Sequence, residues 1–203
     1  MAMYSMLASE WRGAQEMGFV DPSGRPLTFG APPILIDNQM MLRRPSATDA
    51  EELYALLDSN RDRLEWWSSW SPRVRTRKDA TELIRSLTHH DKDLGSPLFV
   101  YDSGALVGAL NVEPSKSEDN SATADVRYWI GEEWEGRGLM IRACHAAVDA
   151  AIPHFELAGA TIHAGAGNMR ARALAERLGF QVLRVDRGAS ATEDVIVYSV
   201  SAA

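Results

Sequence analysis

Regular alternation of apolar and polar positions begins near Gln39. Before it, Gly18, Pro22, Gly24, Pro26, Gly30, Pro32 and Pro33 interrupt the chain so often that residues 1–38 read as an N-terminal arm, with FVDPSGRPLTF as a small hairpin inside it. Residues 39–203 read as one domain. MMLRR predicts a strand, and Thr48 or Asp49 caps a helix whose Leu53, Leu56 and Leu57 recur at helical spacing. NRDRLEWWSSWSP crowds Trp66, Trp67 and Trp70 ahead of Pro72, a core or cleft wall. RKDATELIRSLTHH then predicts a second amphipathic helix with Leu83, Ile84 and Leu87 on one side.

Strand formers dominate after Gly95. PLFVY and ALVGALNV flank Asp102-Ser103-Gly104, which predicts an antiparallel hairpin, and the polar loop PSKSEDNS leads into the strand ATADVRYWI. A helix from about Arg137, the strand ATIHA, the helix NMRARALAERLGF and the strands QVLRV and DVIVYSV complete the order. Strands meander first and alternate with helices later. That pattern predicts an α/β (α+β) fold with a mixed, mostly antiparallel sheet and helices on both faces.

Composition narrows the function. The length of 203 residues allows one substantial core, and a formal charge of -7 argues against nucleic acid as partner, because phosphate binding needs a surplus of Lys and Arg. A single cysteine forms no internal disulfide, which makes the cytoplasm the simplest location. No apolar run is long enough to span a bilayer, and the first residues lack the signal-peptide pattern. Cys144 shares a helical face with Met140 and Val148 and reads as a packing residue. His145 lies four residues before Asp149 on a solvated face, and His89-His90 has no convergent metal-ligand partners.

Gly136 and Gly138 stand where the strand DVRYWI gives way to the alanine-rich helix. Glycines admit positive φ and remove Cβ atoms, and the first N–H groups of a helix point at one spot, so the turn suits an anion; a tight connection alone has the same spelling. Arg137 and Arg142 can add charge-assisted bonds. Neither a phosphate-binding Gly-x-x-x-x-Gly-Lys-Ser/Thr loop nor a dinucleotide fingerprint is present, since Arg170 stands where the fingerprint at Gly165-Ala166-Gly167 needs its third glycine.

YWIGEEWEGRGLM resembles the acyl-CoA signature of the GNAT acyltransferases, specifically the RimL/RimJ type, with Glu133 in its first place and Glu135-Gly136 as the acidic-glycine pair. Asn168 through Glu176-Arg177-Leu178-Gly179-Phe180 is similar to a second signature of that family, in the right order. The resemblance runs from Gln39 to about Val200 and implies transfer of acetyl from acetyl-CoA, without a metal, to a protein N-terminus or a small-molecule amine. It implies that backbone N–H groups around Glu135, Gly136, Arg137, Gly138, Leu139 and Met140 grip the diphosphate. Trp129 and Ile130 would pair with the pantetheine arm, and Asn168 would hold the arm from the other side.

Glu113 is the expected general base and Asp125 the second candidate, each weighed against a solvated carboxylate at a strand edge. Trp67, Trp70 and Arg75 are the expected acceptor-binding residues, beside the basic run from Arg73 to Lys78. By the resemblance, Ala171 and Ala175 stand where the family carries hydroxyls that protonate the thiolate, which leaves water or a hydroxyl such as that of Tyr198 for the task, or a thiolate that departs unprotonated. They also motivate another class of function, a non-catalytic acyl-CoA sensor or scaffold. A larger acyl group such as succinyl, and a monomer or homodimer, fit the same sequence. Replacing Arg73, Arg75 and Arg77 by alanine is expected to raise the acceptor Michaelis constant; an unchanged value disposes of an acidic acceptor.

Overall fold

The structure, a computed structural model, describes residues 29–30, 33–67, 73–89, 96–117, 120–188 and 194–202. Apart from Phe29, the expected hairpin FVDPSGRPLTF lies outside them. The elements are β1 (Ile34–Leu35), β2 (Met40–Arg43), α1 (Ala50–Ser59), α2 (Arg61–Trp67), α3 (Arg77–His89), β3 (Ser96–Asp102), β4 (Ala105–Lys116) and β5 (Ala122–Ile130), then α4 (Leu139–His154), β6 (Gly159–Gly165), α5 (Met169–Arg177), β7 (Gln181–Asp186) and β8 (Val195–Ser201). In hydrogen-bonded order the strands run β1-β2-β3-β4-β5-β6-β8-β7. β5 and β6 pair in parallel, whereas β1–β2, β2–β3, β6–β8 and β7–β8 pair antiparallel, so the sheet is mixed. Among the described residues no helix is long and apolar enough to cross a membrane.

The chain divides into two compact units. One comprises residues 30–111 and 128–143. Regular pairing here starts at Ile34, ahead of the first periodic residues of the sequence. The Asp37 carboxylate makes this possible by accepting from the N–H groups of Gln39 and Met40 at 2.7 and 2.8 Å, which turns the chain back onto β2.

α1 buries Leu53, Leu56 and Leu57 on one stripe. Its entry is fixed by the buried Asp49, which accepts from the Ser46 N–H at 2.7 Å and from both arms of Arg43 at 2.6 and 2.8 Å. Those leucines join Leu64, Val74, Ile84, Phe99, Tyr101 and Leu106 in one core. Each such side chain removed from water contributes about 1.5–3 kcal/mol before the entropy of ordering is subtracted.

β3 and β4 are joined by Ser103 and Gly104, at φ 50° and 85°, the two-residue hairpin that the sequence announces. Farther along β4, a Cβ on Gly108 would stand 2.4 Å from the Trp129 carbonyl oxygen and 3.0 Å from the Ile130 Cα. The backbone of β5 therefore passes where a side chain would be.

The other unit contains Phe29 and residues 112–127 and 144–202. The sequence predicts PSKSEDNS as a polar loop after ALVGALNV, but the strand runs on to Lys116. Ser115 Oγ lies 3.1 Å from Thr123 Oγ1, and the Ser117 N–H donates to the Ser121 carbonyl at 3.0 Å; these contacts close the hairpin on β5.

β6 lies along β8 from Gly159↔Ser201 to Gly165↔Val195, and β7 joins β8 with an irregularity between Val182 and Arg184. Cys144 is fully buried, and burial pushes its thiol up, which agrees with a packing role. His145 Nδ1 sits 2.8 Å from Asp149 Oδ2 on the exposed face, as the spacing predicts.

Gly108→Ala is expected to lower stability by about 1–3 kcal/mol, because the obstacle is backbone rather than a movable side chain. A thermal melt equal to that of the unsubstituted protein would contradict the close approach.

Candidate active site

The turn between β5 and α4 begins at Gly131, whose N–H donates to the Val107 carbonyl at 2.9 Å. A short 3-10 turn, Glu132–Trp134, follows, and then Gly136 and Gly138 take φ of 74° and 72°. These conformations cost an L side chain about 1–2 kcal/mol each, and they postpone the helix to Leu139 where the sequence predicts it from about Arg137. The first bond back into the helix runs from the Arg142 N–H to the Gly138 carbonyl at 3.3 Å, which leaves the N–H groups of Leu139, Met140 and Ile141 ahead of the ladder. Among the described residues, its two chain neighbours aside, no atom lies within 4 Å of the place a Cβ on Gly136 would take. N–H groups that follow two residues of positive φ at the start of a helix suit the oxygens of a diphosphate.

The arginines near this turn already have protein partners. Arg137 lies over the Trp134 ring at 4.8 Å and donates to the Glu133 carbonyl at 2.8 Å, while Arg142 pairs with Asp37. Arg63 of α2 forms an ion pair with Glu135 and donates to the Ile130 carbonyl at 2.7 Å. Asn60, itself buried, accepts from the Glu132 N–H at 2.7 Å. Trp129, on the last part of β5, packs against the core.

In the other unit, strand period 2 sets Asp125 and Arg127 on one face of β5. Arg127 Nε donates to Asp125 Oδ2 at 2.8 Å, and its terminal nitrogen lies 3.5 Å from Glu113 Oε2. Glu113 is 5% exposed and Asp125 8%, so neither is the solvated strand-edge carboxylate that the sequence left open. Burial pushes the Glu113 carboxyl above its ordinary range; the Asp125 charge adds to the rise and Arg127 opposes it. Asp125 Oδ1 is buried with no hydrogen-bond partner and has His163 Nε2 at 3.7 Å. Of the two candidate carboxylates, Asp125 is the one committed to an arginine by a direct bond.

Asn168 caps α5, its Oδ1 accepting from the Ala171 N–H at 3.1 Å. The Tyr198 hydroxyl is likewise engaged, donating to Glu176 Oε1 at 3.2 Å, with Arg172 Nε at 3.3 Å. Trp67 closes α2 with its side chain outside the described residues, as is all of Trp70. Arg75 is exposed, and its backbone N–H donates to Asp79 at the start of α3. Among the described residues no three His, Cys, Asp or Glu side chains are placed to hold a metal.

Sequence reasoning missed Arg127, His163, Asn60 and Arg63. An arginine two positions after Asp125 in an otherwise apolar strand was a usable signal for the first. Nothing in the pattern marked the other three, because their partners are distant in the chain.

A mixed sheet whose fifth strand feeds a helix through a positive-φ Gly-Arg-Gly turn defines an α/β protein able to hold an anionic ligand on backbone N–H groups. The Acetyltransferase (GNAT) domain model matches residues 39–181, and the chain belongs to that family. It is 28% identical over 148 residues to YdaF of Bacillus subtilis, which carries the name of a ribosomal N-acetyltransferase; the match covers 71% of this chain and 79% of that one. Two solved structures share the fold. Microcin C7 self immunity acetyltransferase MccE, in complex with acetyl-CoA and AMP, matches at a TM-score of 0.74 and 22% identity, over 82% of this chain and 94% of that one. The ribosomal L7/L12 alpha-N-protein acetyltransferase RimL, in complex with coenzyme A, matches at 0.75 and 18%, over 83% and 97%.

Proposed function

We propose that the protein transfers an acetyl group from acetyl-CoA to a primary amine, with a protein N-terminus, such as that of a ribosomal protein, as the acceptor. The observation that carries this reading is the Gly136-Arg137-Gly138 turn ahead of α4, where backbone N–H groups suit the diphosphate of coenzyme A. The structures of MccE and RimL, which hold acetyl-CoA and coenzyme A, support it, as does the name of YdaF. In this reading Glu135, Gly136, Arg137, Gly138, Leu139 and Met140 surround the diphosphate and Trp129 and Ile130 lie along the pantetheine arm, while Asn168, which caps α5, is a further candidate for cofactor binding. Ribosomal proteins and acetyl-CoA as substrates support a cytoplasmic location in this reading.

Acyl transfer needs a neutral nitrogen. A terminal amine, at a pKa of about 7.7–8.0, loses its proton near neutrality far more readily than lysine at about 10.4, which favours N-termini as acceptors. The amine nitrogen attacks the thioester carbon, its proton passes to Glu113, and the C–S bond breaks to release the thiolate of coenzyme A. Ala171 and Ala175 offer no acid for that thiolate, and the Tyr198 hydroxyl already serves Glu176, so water supplies the proton. A small-molecule amine is a second reading, supported by MccE, whose structure is a complex with acetyl-CoA and AMP.

Mass spectrometry of a cell extract incubated with labelled acetyl-CoA and the protein is expected to show label on a protein N-terminus. Label on a small amine selects the second reading. Tight binding of coenzyme A with no turnover on either would favour a sensor instead.

Glu113→Gln is expected to lower kcat by about a hundredfold or more, as loss of a general base does. In the unsubstituted enzyme the acid side of kcat/KM carries the ionisation of the amine at about 7.7–8.0 and a second one from Glu113, which burial raises above the 4.5 of an ordinary glutamate; in Glu113→Gln the second is lost and that of the amine remains. The same shift has a cost in stability. The unfolded chain releases this proton at lower pH, so the contribution of Glu113 is most favourable below pH 4.5 and declines as pH rises through the folded value.

A further inference from the structure

The chain segment that enters the glycine turn is acidic, with Glu132, Glu133 and Glu135 immediately before Gly136. Carboxylates beside a cradle for a diphosphate repel the ligand, and the repulsion is greatest for the residue next to the first positive-φ glycine. That residue is Glu135. Its side chain is 22% exposed and is paired with Arg63, itself 28% exposed, so the pair is largely withdrawn from solvent and from screening.

Arg63 also reaches the backbone. The other arm of its guanidinium donates to the Ile130 carbonyl at 2.7 Å, at the end of β5. Three residues earlier Asn60, at the junction of α1 and α2, accepts from the Glu132 N–H at 2.7 Å and donates to the Leu56 carbonyl at 2.9 Å. The junction thus holds Ile130, Glu132 and Glu135, one contact each, along the link between β5 and Gly136. Arg137 and Arg142 do not duplicate this role, since the first is held by Trp134 and Glu133 and the second by Asp37.

We propose that Arg63 is a positioning residue of the acyl-CoA site: it neutralises Glu135 and ties both Glu135 and Ile130 to α2, so that the glycine turn accepts a diphosphate. The proposal rests on the acyl-CoA reading given above. It makes Glu135 a latent antagonist of binding that the arginine silences, and this predicts a sign that loss of packing alone does not produce. Removing Arg63 harms binding, and removing the Glu135 charge as well repairs it.

Calorimetric titration of the full chain with coenzyme A tests this in five forms: unsubstituted, Arg63→Gln, Glu135→Gln, the double substitution, and Arg63→Lys. Arg63→Gln is expected to weaken binding about tenfold, and the double form to bind within about threefold of Glu135→Gln and more tightly than Arg63→Gln, a coupling of the size found between contacting charges. Arg63→Lys keeps the charge and is expected to retain most of the affinity. Equal losses in Arg63→Gln and the double form, or no loss in Arg63→Gln, with circular dichroism showing folded protein, overturn the proposal. Absence of binding by the unsubstituted chain sinks the acyl-CoA reading and this proposal with it, whereas binding without coupling sinks this proposal alone.

Discussion

Two backbone conformations at the end of β5 set the conditions for the rest of the structure. Gly136 and Gly138 hold φ of 74° and 72°, a region that side chains resist, and between them the chain reverses before α4 begins. Because both glycines are non-helical, the helix starts at Leu139 with its first N–H groups directed outward instead of being consumed by a preceding turn. The attraction of a helix terminus for an exposed charge is only about 0.3–1 kcal/mol. A cradle therefore depends on several N–H groups held in place together, and the surrounding contacts serve that end.

The holding contacts come from chain segments far apart in sequence. Gly108 allows the Trp129 carbonyl to pass where a Cβ would stand, the Val107 carbonyl receives Gly131, and Asn60 and Arg63 fasten Glu132, Ile130 and Glu135. Each contact fixes a different atom of the link into the turn. Rigid placement of this kind lowers the entropy lost on binding, and that matters more for affinity than the number of contacts.

Burial does the comparable work around the carboxylates. Glu113 leaves water with the second arm of Arg127 at 3.5 Å and the Asp125 charge nearby, and desolvation raises its proton affinity. Asp125 takes the direct bond from Arg127 and has a buried oxygen facing His163. Two carboxylates of like chemistry thereby acquire different environments from one arginine.

Much of this was legible in residue order. The hairpin at Ser103-Gly104, the leucine stripe of α1, the strand DVRYWI and the double-glycine turn followed from period and turn chemistry, which are local properties of the backbone. Local signals also misplaced two boundaries: the polar run PSKSEDNS hid the last residues of β4, and the helix expected from about Arg137 begins at Leu139, after the positive φ of Gly138. By itself the sequence determined the order of elements, the family and the identity of the glycine turn, because each depends on residues within a few positions of one another. Tertiary structure alone decided that Glu113 and Asp125 are buried, that Arg127 divides itself between them, and that Arg63 meets Glu135. Those facts depend on desolvation and on meetings across up to 72 positions of chain, and no local period encodes either.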